Sequence, residues 1–390
     1  MQFIVANDNG NSEQKISING DYYKQPNVYQ IYNNTPTEVQ PLESVMENLL
    51  NNIIVTIDSR AVSQTPSTYV IGKRALEVSN TVRNMDIKRA KKHKETIPVI
   101  NTLSFLAAYA TKKQYEDKKK LEHGEVIEVE VIMTTALPAS VHNEFTKTEF
   151  ANTFTDHYHE VKVHFNNTHT IVKVKFSEVK VVAEGVPALF NIIEDGKGNY
   201  RDDDLFDHFR ETYDKKDLDG SYFADKRLLH VDIGDGTTEL TFTQGYKHDN
   251  GKSTGLDFGL GAALELALVP FQNEMEKYDL KVKRQDLSRY LKNKESGFHD
   301  LAVTCIKQNL EQLVEDLEKA IKDRTSELKL EFDVIVVYGG ASIILKDELY
   351  TRLVEHFKPI NKEILWIPAQ HAVDMNVLGM QIFNDLTYSN

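Results

Sequence analysis

Two short stretches carry residues whose types and spacing suit chemistry. Asp8-Asn9-Gly10-Asn11-Ser12 follows the apolar run Phe3 to Ala6, and Asp232-Ile233-Gly234-Asp235-Gly236-Thr237-Thr238 follows Leu229 to Val231. In each, a carboxylate ends a strand and glycine turns the chain. Glycine reaches positive φ and lets main-chain N–H groups approach an anion closely. A carboxylate at that place suits a hydrated divalent cation, and Thr237 and Thr238 add hydroxyl donors. After each turn the chain alternates again. Lys15 to Gly20 does so, and Leu240 and Phe242 alternate with Glu239, Thr241 and Thr243, the period of a strand. A dinucleotide-binding or P-loop glycine turn opens into a helix instead. Both stretches therefore read as phosphate-sized hairpins. One acidic, glycine-rich hairpin is ordinary turn chemistry. Its recurrence a domain's length later suggests two similar halves facing one ligand.

Other candidates need weighing beside these. Glu184 ends the strand Val179 to Ala183 and precedes a helix at Val186-Pro187. It reads as a general base or water-orienting group, or equally as a first-turn acid favoured by the helix dipole. Tyr338-Gly339-Gly340-Ala341 follows the apolar run Val334 to Val337, and its small residues let backbone lie flat against a planar or anionic group. Phe258-Gly259-Leu260-Gly261 enters a helix, either to face a ligand or for close packing. Gly245 to Ser253 misses the P-loop spacing and reads as a hairpin. His157, His159, His164 and His169 raise the question of metal, but no cysteine lies near and hairpin faces commonly carry histidine. The basic run Lys88 to Lys94 reads as a solvated helix face, a nucleic-acid contact or a protomer contact.

The elements that must position these residues follow from length and pattern. A chain of 390 residues can bury a large core and is expected to form two domains. A net charge of −13 argues against nonspecific nucleic-acid binding. The single cysteine, Cys305, excludes an intrachain disulfide. No apolar run approaches the ~18 residues of a membrane span, and Met1-Gln2-Phe3-Ile4-Val5 does not read as a signal peptide. A reducing cytoplasm is the expected setting. Ile97-Pro98 opens a helix with Ile100, Leu103, Ala107 and Ala110 as its buried stripe. Val126 to Met133 reads as a buried strand, and the acidic stretch Asp195 to Asp219 as an exposed loop and helix. Helices are expected near Ala262–Lys277, Arg284–Lys292 and Leu301–Thr325, then a buried parallel strand at Asp333–Val337 and a closing helix from about Asp374.

Three glycine turns in this order resemble the two phosphate motifs and the adenosine motif of the actin superfamily. Within it the chain looks most like the bacterial plasmid-segregation actins, the ParM (StbA) family and its relatives. The residues that carry the likeness are Asp8-Asn9-Gly10-Asn11, Glu184-Gly185-Val186-Pro187-Ala188, Asp232-Ile233-Gly234-Asp235-Gly236-Thr237-Thr238 and Tyr338-Gly339-Gly340-Ala341, with Asn376-Val377-Leu378-Gly379 in the last helix. The resemblance implies an α/β, actin-like fold: two RNase H-like domains flank a nucleotide cleft and carry smaller inserted subdomains. Domain I would span 1–183 and 368–390 with an insertion at about 21–95. Domain II would span 184–367 with a helical subdomain at about 257–330.

The resemblance also implies ATP, or GTP, with Mg²⁺. Asp8 would sit near the β- and γ-phosphates through a metal-bound water, Asn9, Gly10 and Asn11 would cradle phosphate, and Lys15 would neutralise charge. Asp232 would bind hydrated Mg²⁺ or position the attacking water, with Gly234, Gly236, Thr237 and Thr238 around the γ-phosphate. Glu184 would be the catalytic carboxylate, and Gly339, Gly340 and Ala341 would lie along the nucleoside. Asp235 is assigned to turn geometry. The usual hydroxyl residue after the first-motif glycine is replaced by Asn11, with Ser12 one later, which leaves open which of them, and whether Lys15, touches phosphate. The implied activity is nucleotide hydrolysis coupled to a head-to-tail filament that moves plasmid DNA. The link to DNA would run through a ParR-like DNA-binding adaptor on a centromere-like site, with no direct nucleic-acid contact and no membrane partner. A cell-shape or cell-division homologue and a small-molecule kinase of the same fold are the alternatives. Base preference, strand number, filament hand and the adaptor's identity are not encoded in these motifs.

Overall fold

The computed structural model describes residues 1–388 except 33–34, 36–38, 79–80 and 86–91. The chain divides into two compact units. Unit 1 comprises Met1–Leu137, Val141–Ala183 and Phe383–Asn390; unit 2 comprises Pro138–Ser140 and Glu184–Ile382.

Unit 1 is built on one nine-stranded sheet. Its strands are β1 (Gln2–Asn9), β2 (Glu13–Ile18), β3 (Asp21–Pro26), β4 (Tyr29–Ile31), β5 (Ile54–Asp58), β6 (Ser67–Ile71), β7 (Glu125–Leu137), β8 (His159–Phe165) and β9 (Thr168–Ala183). Their order is β3-β2-β1-β7-β9-β8-β5-β6-β4. The antiparallel meander β1–β3 leads into β7 and β9, which run parallel to β1. The stretch at about 21–95, expected as an insertion, supplies β3 to β6 to this same sheet. The helix Ile97–Lys118 differs from its expected stripe: every residue from Ile97 to Thr111 is buried, the pattern of a helix enclosed on all sides. Lys119, in the left-handed region, ends it.

Unit 2 carries β10 (Arg227–Ile233), β11 (Thr238–Gln244), β12 (Lys247–His248), β13 (Thr254–Leu256), β14 (Val334–Tyr338) and β15 (Glu363–Trp366). Their path is β12-β11-β10-β14-β15, with β13 paired to β11. Again an antiparallel meander leads into strands parallel to its first member. The two units thus repeat one topology: β3-β2-β1-β7-β9 corresponds to β12-β11-β10-β14-β15. Both faces of the second sheet are covered. Ile335 and Val337 pack with Leu229, Val231 and the helices Leu260–Glu276 and His299–Glu327. Val334, Val336 and Tyr338 pack on the other side with Leu189, Ile192, Phe206 and Phe223. A strand buried on both faces is continuously apolar, as β14 is.

The acidic stretch Asp195–Asp219, expected as an exposed loop and helix, is not wholly exposed, because Leu205, Phe206 and Phe209 anchor it in the core. The final helix, Met375–Tyr388, is divided between the units after Ile382. Strand β11 is buried from Thr238 to Thr243, its polar positions included. Of the basic run, Lys88–Lys91 lie outside the described residues, while Lys92–Lys94 form a 3-10 turn in which Lys92 is buried. Among the described residues, no helix is long and apolar enough to cross a membrane.

Candidate functional site

The second hairpin shows how such a turn is made. β10 and β11 stay in register up to Ile233 opposite Thr238, and the turn is closed by the Gly234 N–H on the Thr237 carbonyl (3.0 Å). The turn's own carbonyls point backwards. Gly234 C=O accepts from Leu260 N–H (3.1 Å) and Asp235 C=O from Gly261 N–H (2.6 Å), at the start of the helix Leu260–Glu276. In a trans peptide the N–H points opposite to the C=O. The N–H groups of Asp235 and Gly236 are therefore presented forwards, as an anion-binding concavity requires. The Gly259-Leu260-Gly261 segment, open between ligand and packing from the sequence, braces the turn from behind.

The first hairpin reaches the same result with other parts. Gly10 N–H closes the turn on Glu13 C=O (2.9 Å). Here a single buried side chain is the brace. Asn27 donates through Nδ2 to Gly10 C=O (2.6 Å) and through its backbone N–H to Ser12 C=O (2.9 Å). Asn27 in turn accepts from Asn101 (2.5 Å), and Asn7 and Asn9 both donate to Thr102 on the same helix (2.8 and 3.2 Å). The Asn9 side chain is thus fully buried and points inward, with its Nδ2 spent on Thr102. Asp8 is opposite Lys15 in the ladder, and Lys15 Nζ lies 3.4 Å from Asp8 Oδ2.

The third turn packs against the second. Gly339 has φ +93°, and a Cβ there would stand 2.5 Å from Asp232 Oδ1, so only glycine serves. Ala341 is buried and donates its N–H to Ile233 C=O (3.0 Å). Gly340 is the part of this turn left open. Thr238 is likewise redirected: its hydroxyl donates to Phe258 C=O (3.0 Å) and is buried, whereas Thr237 is half-exposed. Asp235 pairs with Arg284 (2.9 Å).

Glu184 is delivered to β10 and β11 by a turn that requires glycine. Gly185 has φ +90°, and a side chain there would meet Thr241. Thr241 Oγ1 donates to Glu184 C=O (2.9 Å). Asn376, from the last helix, bridges the two regions: its Oδ1 accepts from Gly185 N–H (3.2 Å) and its Nδ2 donates to Asp232 Oδ2 (2.7 Å). Sequence reasoning quoted Asn376 without giving it a role.

Glu239 was missed altogether. It stands opposite Asp232 in the ladder and is 2 % exposed. Its Oε2 accepts from Ala139 N–H (2.8 Å), while Oε1 is buried with no partner. Burial first, then the negative charges of Glu184 and Asp232, push its carboxyl up to about 8. A buried carboxyl that keeps a bare oxygen, within electrostatic range of two further acids, gives this region the negative character that a hydrated cation would answer. The alternation of β11 placed Glu239 on a strand face, but only tertiary packing showed that face to be buried.

Of the four histidines, His164 and His169 face each other across β8 and β9, with ring centroids 5.9 Å apart. His159 spends Nδ1 on Ser59 and Nε2 on Phe154 C=O (both 2.8 Å). His164 is held by Thr56 (2.8 Å) and pushed down to about 4, chiefly by burial and then by His169 and Lys162. Among the described residues one trio of potential metal ligands assembles, Asp203, Asp204 and His371. Arg201 already pairs with Asp203 (2.9 Å), and His371 with Asp204 (2.7 Å).

No protein-family model matches the chain, and no curated protein matches it. Solved structures do. The actin-like protein Alp7A is 17% identical, with a TM-score of 0.68, and the match covers 99% of this chain and 97% of that one. The ParM of Bacillus thuringiensis with ATP is 14% identical, with a TM-score of 0.64 and full coverage of both chains. A non-polymerisable quadruple mutant of pCBH ParM is 15% identical, with a TM-score of 0.63 over 99% of this chain and 100% of that one. At these identities the likeness is one of fold, and the fold is actin-like.

Proposed function

We propose that the chain is an actin-like, filament-forming ATPase that segregates plasmid DNA through a DNA-binding adaptor in the cytoplasm. The observation that carries this is the repeated hairpin: each unit places an Asp-x-Gly turn on the first two strands of the same sheet topology, with the turn's carbonyls tied back. Phosphoryl transfer needs positioning and charge neutralisation more than covalent help, and each turn is built to supply donors. The neighbours support the reading, since one ParM is described with ATP and another as a non-polymerisable mutant.

In this reading Gly10, Asn11 and Lys15 of unit 1, and Gly234, Gly236 and Thr237 of unit 2, serve the phosphates of a nucleoside triphosphate. Asn9 would add to the first turn by its place in the chain rather than by its amide, and Thr238 would anchor the second. Gly339 and Gly340 would lie along the nucleoside, with Ala341 fixing their turn. Asp8 and Asp232 would hold a hydrated Mg²⁺, which neutralises phosphate charge when bound. Glu184 would orient and deprotonate the attacking water, with Asn376 fixing the neighbouring backbone. A head-to-tail contact that does not close on itself makes a filament, and nucleotide state would set its stability.

Light scattering and sedimentation with ATP or GTP and Mg²⁺ test the proposal. Scattering should rise with triphosphate and fall as phosphate is released. A chain that stays monomeric at micromolar concentration with either nucleotide overturns it.

A further inference from the structure

The second turn poses an electrostatic problem. Its forward-pointing N–H groups suit an anion, yet the turn carries Asp235 between its two glycines, with Asp232 close by at the end of β10. A carboxylate carried by a turn that is to hold phosphate weakens binding even at an effective dielectric near 20. Arg284 answers it. Its Nη1 donates to Asp235 Oδ2 at 2.9 Å, and the two side chains are only 14% and 15% exposed. The pair is built in. Arg284 opens the helix Arg284–Lys292, whose start is fixed by the Asp286 carboxylate accepting the Lys283 N–H (2.9 Å). Gly261 leaves the room it occupies, because a Cβ there would stand 2.6 Å from Arg284 Nη1 and 3.2 Å from Asp235 Oδ2. The same Gly261 supplies the N–H that ties back the Asp235 carbonyl.

We infer that Arg284 is a positioning residue of the phosphate turn: by pairing with Asp235 it masks the carboxylate that the turn itself carries, and so lets the turn's N–H groups accept a nucleotide phosphate. The inference rests on the nucleotide-binding reading above. Arg284 acts through Asp235 and not by touching the ligand, which separates it from a direct phosphate contact and from a purely structural clasp.

The test is a mutant cycle read by calorimetric titration of the full chain with ATP and Mg²⁺, then with GTP. Arg284→Ala uncovers Asp235 and should weaken binding roughly tenfold to a hundredfold, a defect that shrinks as salt is raised. Asp235→Asn removes the charge while keeping the turn's shape, and should bind at least as tightly as the parent. The double variant Arg284→Ala/Asp235→Asn should return to within about threefold of the parent, as expected when two coupled residues act through one charge. A double variant as weak as Arg284→Ala, or Arg284→Ala binding like the parent, overturns the inference while leaving the proposed function intact. Weaker binding by Asp235→Asn overturns it even where Arg284→Ala fails to fold. A parent chain that binds neither nucleotide overturns the proposed function and this inference with it.

Discussion

The two hairpins are one device with two different solutions to the same charges. In unit 1 the ladder partner of Asp8 is Lys15, so the carboxylate at the strand end meets a cation across the sheet. In unit 2 the equivalent partner of Asp232 is Glu239, a second acid. The braces differ as well. One asparagine, Asn27, holds back the first turn, whereas a helix N-terminus and an ion pair hold the second. The first hairpin is neutralised by the protein alone and suits holding phosphate. The second keeps a surplus of negative charge, with Glu184 beside it, and suits a cation and the water that attacks. On the proposed function, chemistry would fall to unit 2 and charge neutralisation to unit 1.

The largest expected effect tests that division. Glu184→Ala should slow phosphate release by about 10²–10⁴-fold, the usual worth of a general base, while nucleotide affinity and assembly persist. Unchanged phosphate release would remove Glu184 from the reaction. Lys15→Met should show the opposite profile. It strands Asp8, whose side chain is 8% exposed, so about 1–3 kcal/mol of stability should be lost and nucleotide should bind about tenfold more weakly. A normal affinity in calorimetry would show that unit 1 does not rely on Lys15.

The smallest effect concerns pH. The folded-state carboxyl of Glu239 lies near 8, above its value in an unfolded chain. The folded protein thus keeps a proton that the unfolded chain releases. The stability this contributes is complete below about pH 4.3 and is lost as pH rises towards 8. Glu239→Gln, neutral throughout, should leave melting near pH 5 unchanged and raise the melting temperature at pH 8 by about 2–10 °C in metal-free buffer. Parallel melting curves for the two proteins across that range would place an ionised, compensated carboxylate at this position instead.

Both strands of each hairpin, the helix after Ile97, the strand before Gly339 and the three helices between β13 and β14 were legible in the sequence, because period and turn residues are local signals. The supports of the site were not. Asn27 sits in a polar stretch that reads as an insertion, and nothing near it announces that it grips Gly10. Arg284 reads as one more charge on an amphipathic helix. Thr238 and Ala341 stood inside glycine motifs and so read as ligand contacts, but their hydroxyl and N–H are used up by Phe258 and Ile233.

By itself the sequence determined where the chain turns, that the turns recur, and which carboxylates end their strands. Those properties depend on neighbours a few residues away, through backbone sterics and side-chain alternation. Tertiary structure alone decided that Glu239 is buried beside Asp232, that Asn376 joins Asp232 to Gly185, and that the turns' carbonyls are tied back so that their N–H groups face out. Burial, and the charge state it imposes, belong to residues brought together from distant parts of the chain, and no local pattern encodes them.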